Sequence, residues 1–188
     1  MGPFYVVLVH HPVYDKRGEV VATAVTNMDV HDLARIGKTY GVRGVFIAHP
    51  TRALRLLVEK IIAHWSIGFG AQYNETRREA LALVRTVIDL DAALLEVERD
   101  AGERPILVAS SAREKAGRLT FRDFRERLSG SSAPHLLILG TGWGLTPQIL
   151  DRADLVLEPI RGVAEYNHLP VRAAAAIMLD RLLGEREG

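Results

Sequence analysis

Apolar and polar positions along this chain form blocks of two kinds: short solid apolar runs, and longer stretches with helical spacing. Phe4 to Val9 is a continuous apolar run rich in β-branched residues, the pattern of a strand buried on both faces. Further runs lie at Val42 to Ala48, Val84 to Ile88, Pro105 to Ala109, His135 to Gly140 and Leu155 to Leu157. Between them, apolar spacing and end signals predict helices from Asp29 to about Tyr40, from Thr51 through Trp65, from Ala92 to about Asp100, over Phe121 to Leu128, and from about Leu169 to Leu183. Asn27 or Asp29 is the expected N-cap of the first helix, and Gly41 its C-terminal stop. Asp15 to Gly18 reads as a turn between two short extended pieces, and Ser66 to Thr76 as a flexible loop leading to a helical turn. Strands alternating with helices imply an α/β fold: a mostly parallel sheet flanked by helices. No repeat or linker divides the chain, so residues 1–188 are expected to form one domain.

Composition narrows the partners. The 48% hydrophobic and 25% charged residues are those of an ordinary folded protein. With no cysteine, disulfides and thiolate metal sites are excluded, and an intracellular, cytoplasmic setting is expected. The first apolar run lacks a preceding basic region and is too short to cross a bilayer, so no membrane association is expected. Of 24 basic residues 20 are arginine, which suits phosphate contacts, yet the net charge is only +1. His10, His11, His31 and His168 have no ligand spacing, and no metal is expected.

The chemistry-bearing feature is a strand that runs into Gly140-x-Gly142-x-Gly144, followed by a second glycine loop, Glu158 to Gly162. Glycine lets backbone amides and carbonyls approach a ligand without a Cβ in the way. The spacing does not fit a dinucleotide fingerprint, whose third glycine comes one residue later. A Rossmann-like methyltransferase, with Glu158 on the cofactor ribose, is a rival. Only 30 residues follow Glu158, too few for the strands that such folds place after the loop.

The block from Leu137 to Gly144, then Leu157 to Gly162, then Tyr166 to Ile177, resembles the last two motifs of the SPOUT-class RNA methyltransferases. The segment Asn27 to Val42, with Arg35 six residues before Gly41, is similar to their N-terminal motif. Pro12 to Tyr14, Thr23 to Asn27, His31-Asp32 and the Gly142-Trp143-Gly144 turn look like a small bacterial subgroup of unassigned target. The resemblance implies a deep C-terminal trefoil knot over about residues 105–184, a homodimer, and S-adenosylmethionine held by three loops, released as S-adenosylhomocysteine. Those loops would be Ala109 to Ser111, Gly140 to Gly144, and Glu158 to Leu169. It implies cofactor contacts from Ser110, Ile138, Gly140, Gly142, Gly144, Leu145, Glu158, Ile160, Gly162 and Leu169. Backbone near Gly140, Gly142, Ile160 and Gly162 would meet the adenine edge, and Ile138, Leu145 and Leu169 its faces.

The implied reaction is methyl transfer to RNA, either tRNA or rRNA. Arg35 matches the reaction-centre position of the 2′-O-methylating relatives. An arginine stays protonated, so its expected role is to bind the target phosphate and orient the acceptor. Asn167 matches the polar residue of the last motif, where it would hydrogen-bond substrate or cofactor at the reaction centre, an Asx turn or cap being the alternative. Asp29, Asp32 and His31 are further base candidates, though capping explains the two acids equally well. A non-catalytic RNA-binding or assembly module that keeps the cofactor pocket is the alternative from another class. The modest net charge calls for a dimer that gathers its arginines in one groove, or for another domain or partner that recruits the RNA.

Overall fold

The computed structural model describes residues 1–67, 72–113, 117–164 and 166–185. The apolar runs become strands β1 (Phe4–Val9), β4 (Gly44–Ala48), β5 (Val84–Val87), β6 (Ile106–Ala109), β7 (His135–Gly140) and β8 (Leu155–Val156) of one sheet. The sheet is parallel throughout, in the order β5-β4-β1-β7-β6-β8. β1 and β7 lie at its centre and are buried on both faces, which is why they read as solid apolar runs. β2 (Val13–Tyr14) and β3 (Val20–Val21) form a separate antiparallel ribbon around the Asp15 turn, where the Asp15 carboxylate accepts from the Arg17 and Glu19 amides.

The helices are α1 (Asn27–Thr39), α2 (Arg52–Ser66), α3 (Glu75–Leu81), α4 (Leu90–Ala101), α5 (Phe121–Ser129), a single turn α6 (Pro147–Leu150), and α7 (Val171–Leu183). One face of the sheet buries residues of α1, α3, α5 and α7, among them Val30, Leu33, Phe124, Met178 and Leu182. The other buries Leu90, Ala93 and Val97 of α4, with Val13, Leu145 and Ile149.

Three expectations are corrected. The N-cap of α1 is Thr26, not Asn27 or Asp29: Thr26 Oγ1 accepts from the Asp29 amide at 3.1 Å, and the Thr26 amide donates back to the Asp29 carboxylate. Asp29 therefore stands at the third helical position of a capping box. The expected loop to Thr76 is shorter. Asn74 caps α3 through its side chain, and residues 68–71 lie outside the described residues. Helix α4 starts at Leu90 because the Asp89 side chain caps the Ala92 amide.

Candidate functional site

All six strands point the same way, so every loop that follows a strand gathers at one edge of the sheet. β1 leads to α1 on one face, while its neighbour β7 leads to α6 on the other. Departing loops that turn to opposite sides leave a crevice between them, the usual ligand position in open α/β sheets. A cavity of about 620 Å³ lies there, walled by Thr23 and Ala24, Ser110 to Arg113, Leu139 to Leu145, Glu158 to Ile160, and Asn167 to Val171.

The glycines of the first loop are accounted for by geometry. Leu145 folds back over Gly140, where a Cβ would meet Leu145 Cγ at 2.8 Å. Gly142 has φ +57° and abuts the Tyr14 carbonyl, 2.7 Å from where its Cβ would be. Gly144 has φ +102° with open space beside it, so its requirement is conformational. The loop is stitched to the β2 ribbon: the Trp143 amide donates to Tyr14 O at 2.8 Å, and the Tyr14 amide to Gly144 O at 3.0 Å. Part of the loop's backbone is thus consumed internally, which sequence could not reveal.

A hydroxyl relay ties this loop to the segment before α1. Thr23 Oγ1 and Thr141 Oγ1 are 2.5 Å apart, Thr141 Oγ1 donates to Val9 O, and His10 Nδ1 lies 3.0 Å from Thr23 Oγ1. His10 is fully buried, and that burial, helped by nearby His49, pulls its pKa down to about 4. His49 is held neutral by the same cause. It accepts the Thr51 amide on Nδ1 and donates from Nε2 to Thr23 O at 3.0 Å. The resemblance marked the Thr23 to Asn27 block, but not the relay.

The remaining loops close on one another. Asn167 Nδ2 donates to Ala112 O at 2.9 Å, tying the third expected loop to the residue just past the first. The Glu158 carboxylate accepts from the Phe121 amide at 3.1 Å at the start of α5. The ribose role that the Rossmann-like rival requires of Glu158 is thus contested by a structural partner. At the rim His168 packs between Trp143 and Tyr166, and Arg113 stands over the Tyr14 ring.

Of the expected cofactor contacts, Ser110, Gly140, Gly142, Gly144, Leu145, Glu158, Ile160 and Leu169 line the cavity, as does Asn167. Ile138 does not. It is fully buried on the opposite face of the sheet, and its neighbour Leu139 reaches the cavity instead, because side chains alternate along a strand. Gly162 is exposed and outside the wall. Arg35 is exposed too, in an adjoining groove with Tyr40, Pro170, Arg172 and Ala173. Arg172 divides groove from cavity: it pairs with Asp32 at 2.7 Å and with Asp29 at 3.6 Å. His31 stands on α1 away from the cavity, packed edge-on to Trp65. Among the described residues no cluster of three metal-ligating side chains occurs.

A family model described as SAM-dependent RNA methyltransferase matches residues 3–184. The chain belongs to this family. It is 42% identical over 181 residues to a tRNA (guanine-N(1)-)-methyltransferase of Oleidesulfovibrio alaskensis, an alignment covering 96% of this chain and 42% of that protein. It therefore spans less than half of that longer relative. It is 36% identical to an uncharacterised protein of Aquifex aeolicus, over 95% of this chain and 87% of that one. The fold is also that of the A. aeolicus TrmH/SpoU tRNA modifying enzyme, with a TM-score of 0.57 at 16% identity, over 97% of this chain and 75% of that one. The family's cofactor is S-adenosylmethionine, and the cavity suits it. Its volume is in the range of small-molecule sites, and Leu139, Leu145, Ile160 and Met178 offer apolar contact beside Ser110 and Thr141 hydroxyls.

Proposed function

We propose that this chain transfers a methyl group from S-adenosylmethionine to RNA, with tRNA as the favoured substrate class. The observation that carries the reading is the cavity beyond the C-terminal ends of β1 and β7, walled by the loops after β6, β7 and β8, in a chain that the family model matches over residues 3–184. The cofactor supplies an electrophilic methyl on a sulfonium; the protein's part is binding, orientation and exclusion of water. In this reading backbone groups of Gly140 to Leu145 and Ile160 hold the adenine, and Leu139 and Leu169 cover its faces. Ser110 and Asn167 brace the loops, and the Thr23–Thr141 pair fixes the floor. The tRNA preference follows from the name of the Oleidesulfovibrio relative.

Arg35 lies outside the cavity wall, so its proposed role is to hold the target phosphate at the mouth rather than to touch the cofactor. The tail is proposed to thread the loop after β6: Leu119 pairs with Leu157, and Asn167 reaches Ala112. A homodimer is proposed to cover the groove by Ala173 and Ala176 on α7 and to bring a second Arg35 close. The chain is read as one domain working in the cytoplasm; among the described residues no helix is long and apolar enough to cross a membrane.

The test is labelled-methyl transfer to total tRNA by the wild type and Arg35→Ala, alongside calorimetric cofactor binding. Arg35→Ala is expected to lose at least roughly tenfold in transfer while cofactor affinity holds, since removing a positioning group acts on the reacting geometry. Cofactor binding without transfer to any tRNA or rRNA contradicts the reading, and leaves the non-catalytic module in its place.

A further inference from the structure

A second cavity, of about 600 Å³, lies on the far side of the first turns of α1, between that helix, α2 and α3. Its wall carries four basic side chains, His31, Lys60, His64 and Arg77, around Trp65. Arg77 stacks over the Trp65 ring at 5.0 Å, and the rings of His31 and His64 meet that indole edge-on. Asp32 is the acid in the wall, and it already pairs with Arg172. Among the described residues neither Lys60 nor Arg77 takes part in an ion pair. Arg77 Nε and His31 Nδ1 are buried with no hydrogen-bond partner. A buried donor without an acceptor is costly, and Arg77 Nε is such a donor, on one of the two cations that share this cavity.

We infer that this cavity is a phosphate-binding subsite for the backbone of the substrate RNA. Arg77 offers a fork of donors pre-set by its stacking on Trp65, and Lys60 adds a mobile charge. The position suits the role. His31 and Arg35 are four residues apart on α1 and so share one helix face. That face runs from the basic cavity to the groove beside the cofactor cavity, and Asp32 lines both. The two cavities are separated by one helix, a width of roughly 10 Å. A strand whose target nucleotide enters the first cavity can therefore lay a neighbouring phosphate in the second. This also answers the modest net charge: affinity depends on unpaired cations in one place, not on their sum.

The inference rests on the proposed RNA substrate, and its test separates the two. Binding of a fluorescein-labelled tRNA transcript is measured by anisotropy between 50 and 200 mM salt for the wild type, Arg77→Ala/Lys60→Ala, and a control, Arg104→Ala. The double variant is expected to lose roughly tenfold in affinity at the lower salt. Its slope of log affinity against log salt should fall by about 0.7–0.9 for each phosphate no longer neutralised. S-adenosylhomocysteine affinity should be unchanged, which excludes misfolding. Lys60→Glu alone, at an exposed position, should weaken tRNA binding more than Lys60→Ala does. Equal tRNA affinity and slope in wild type and double variant overturn the subsite and leave methyl transfer standing. A wild type that binds tRNA through these residues yet transfers no methyl overturns the activity and leaves the subsite. If 10 mM inorganic phosphate stabilises the wild type but not the double variant while tRNA affinities match, the cavity takes free phosphate, and the RNA assignment fails.

Discussion

Two cavities of nearly equal volume flank α1, and they are built in opposite ways. The one at the sheet edge is made of backbone, glycine and apolar side chains, and its charged residues are mostly spoken for: Asp29 faces Arg172, Glu158 holds the Phe121 amide, and Arg113 covers Tyr14. The one behind α1 holds two cations, Lys60 and Arg77, that have no ion-pair partner among the described residues. The first is shaped for a largely neutral ring system, where fit and bare main chain decide affinity. The second is shaped for an anion, where charge decides. One helix thus carries both ends of the proposed chemistry, with the Thr26–Asp29 capping box fixing its start between them.

The comparison can be broken most severely at Gly142. Replacing it with valine puts a β-branched side chain at φ +57° and drives it into the Tyr14 carbonyl. Such strain costs roughly 3 kcal/mol, so cofactor affinity should fall on the order of 100-fold by calorimetry, while tRNA affinity through the second cavity should change little.

A pH titration sharpens the same contrast at the level of stability. His10 titrates near 4 when folded, against an ordinary value of about 6.5 when unfolded. The unfolded chain therefore binds the extra proton first. The stability due to keeping His10 neutral is complete above about pH 6.5 and drains away as pH falls toward 4, on the order of 3 kcal/mol in all. His49 and His135 shift in the same direction. Urea unfolding at stepped pH should show this slope, and His10→Asn should flatten it; an unchanged slope contradicts the relay's buried neutral imidazole.

Arg172→Ala unties the divider between cavity and groove. It leaves Asp29 and Asp32 without their shared cation, and since Arg172 is about 27% exposed the cost should be modest, roughly 1 kcal/mol, read as a drop of a few degrees in Tm. Asn167→Ala removes one loop-to-loop hydrogen bond. That bond is worth about 1 kcal/mol, so cofactor affinity should weaken about fivefold with no change in tRNA affinity.

The strands and most helices were legible in the sequence because their causes are local, and most residues of the expected C-terminal loops line the cavity. β1 and β7 are solid apolar runs, and the glycine loops announce close backbone approach. What was not legible depends on facing and on distance along the chain. Leu139 lines the cavity and the expected Ile138 does not, because in a strand one residue is the difference between two faces of the sheet. Gly142 is fixed by Tyr14, and Trp65 meets Arg77 across a segment with no regular pattern. The position of β7 between β1 and β6 is likewise set by tertiary packing.

The central claim is that the loops after β6, β7 and β8 close around an adenosyl sulfonium. Amide hydrogen exchange with and without S-adenosylhomocysteine tests it most directly. The account predicts saturable protection confined to residues 110–113, 140–145 and 158–169. No binding at millimolar concentration, or protection centred elsewhere on the sheet, contradicts it.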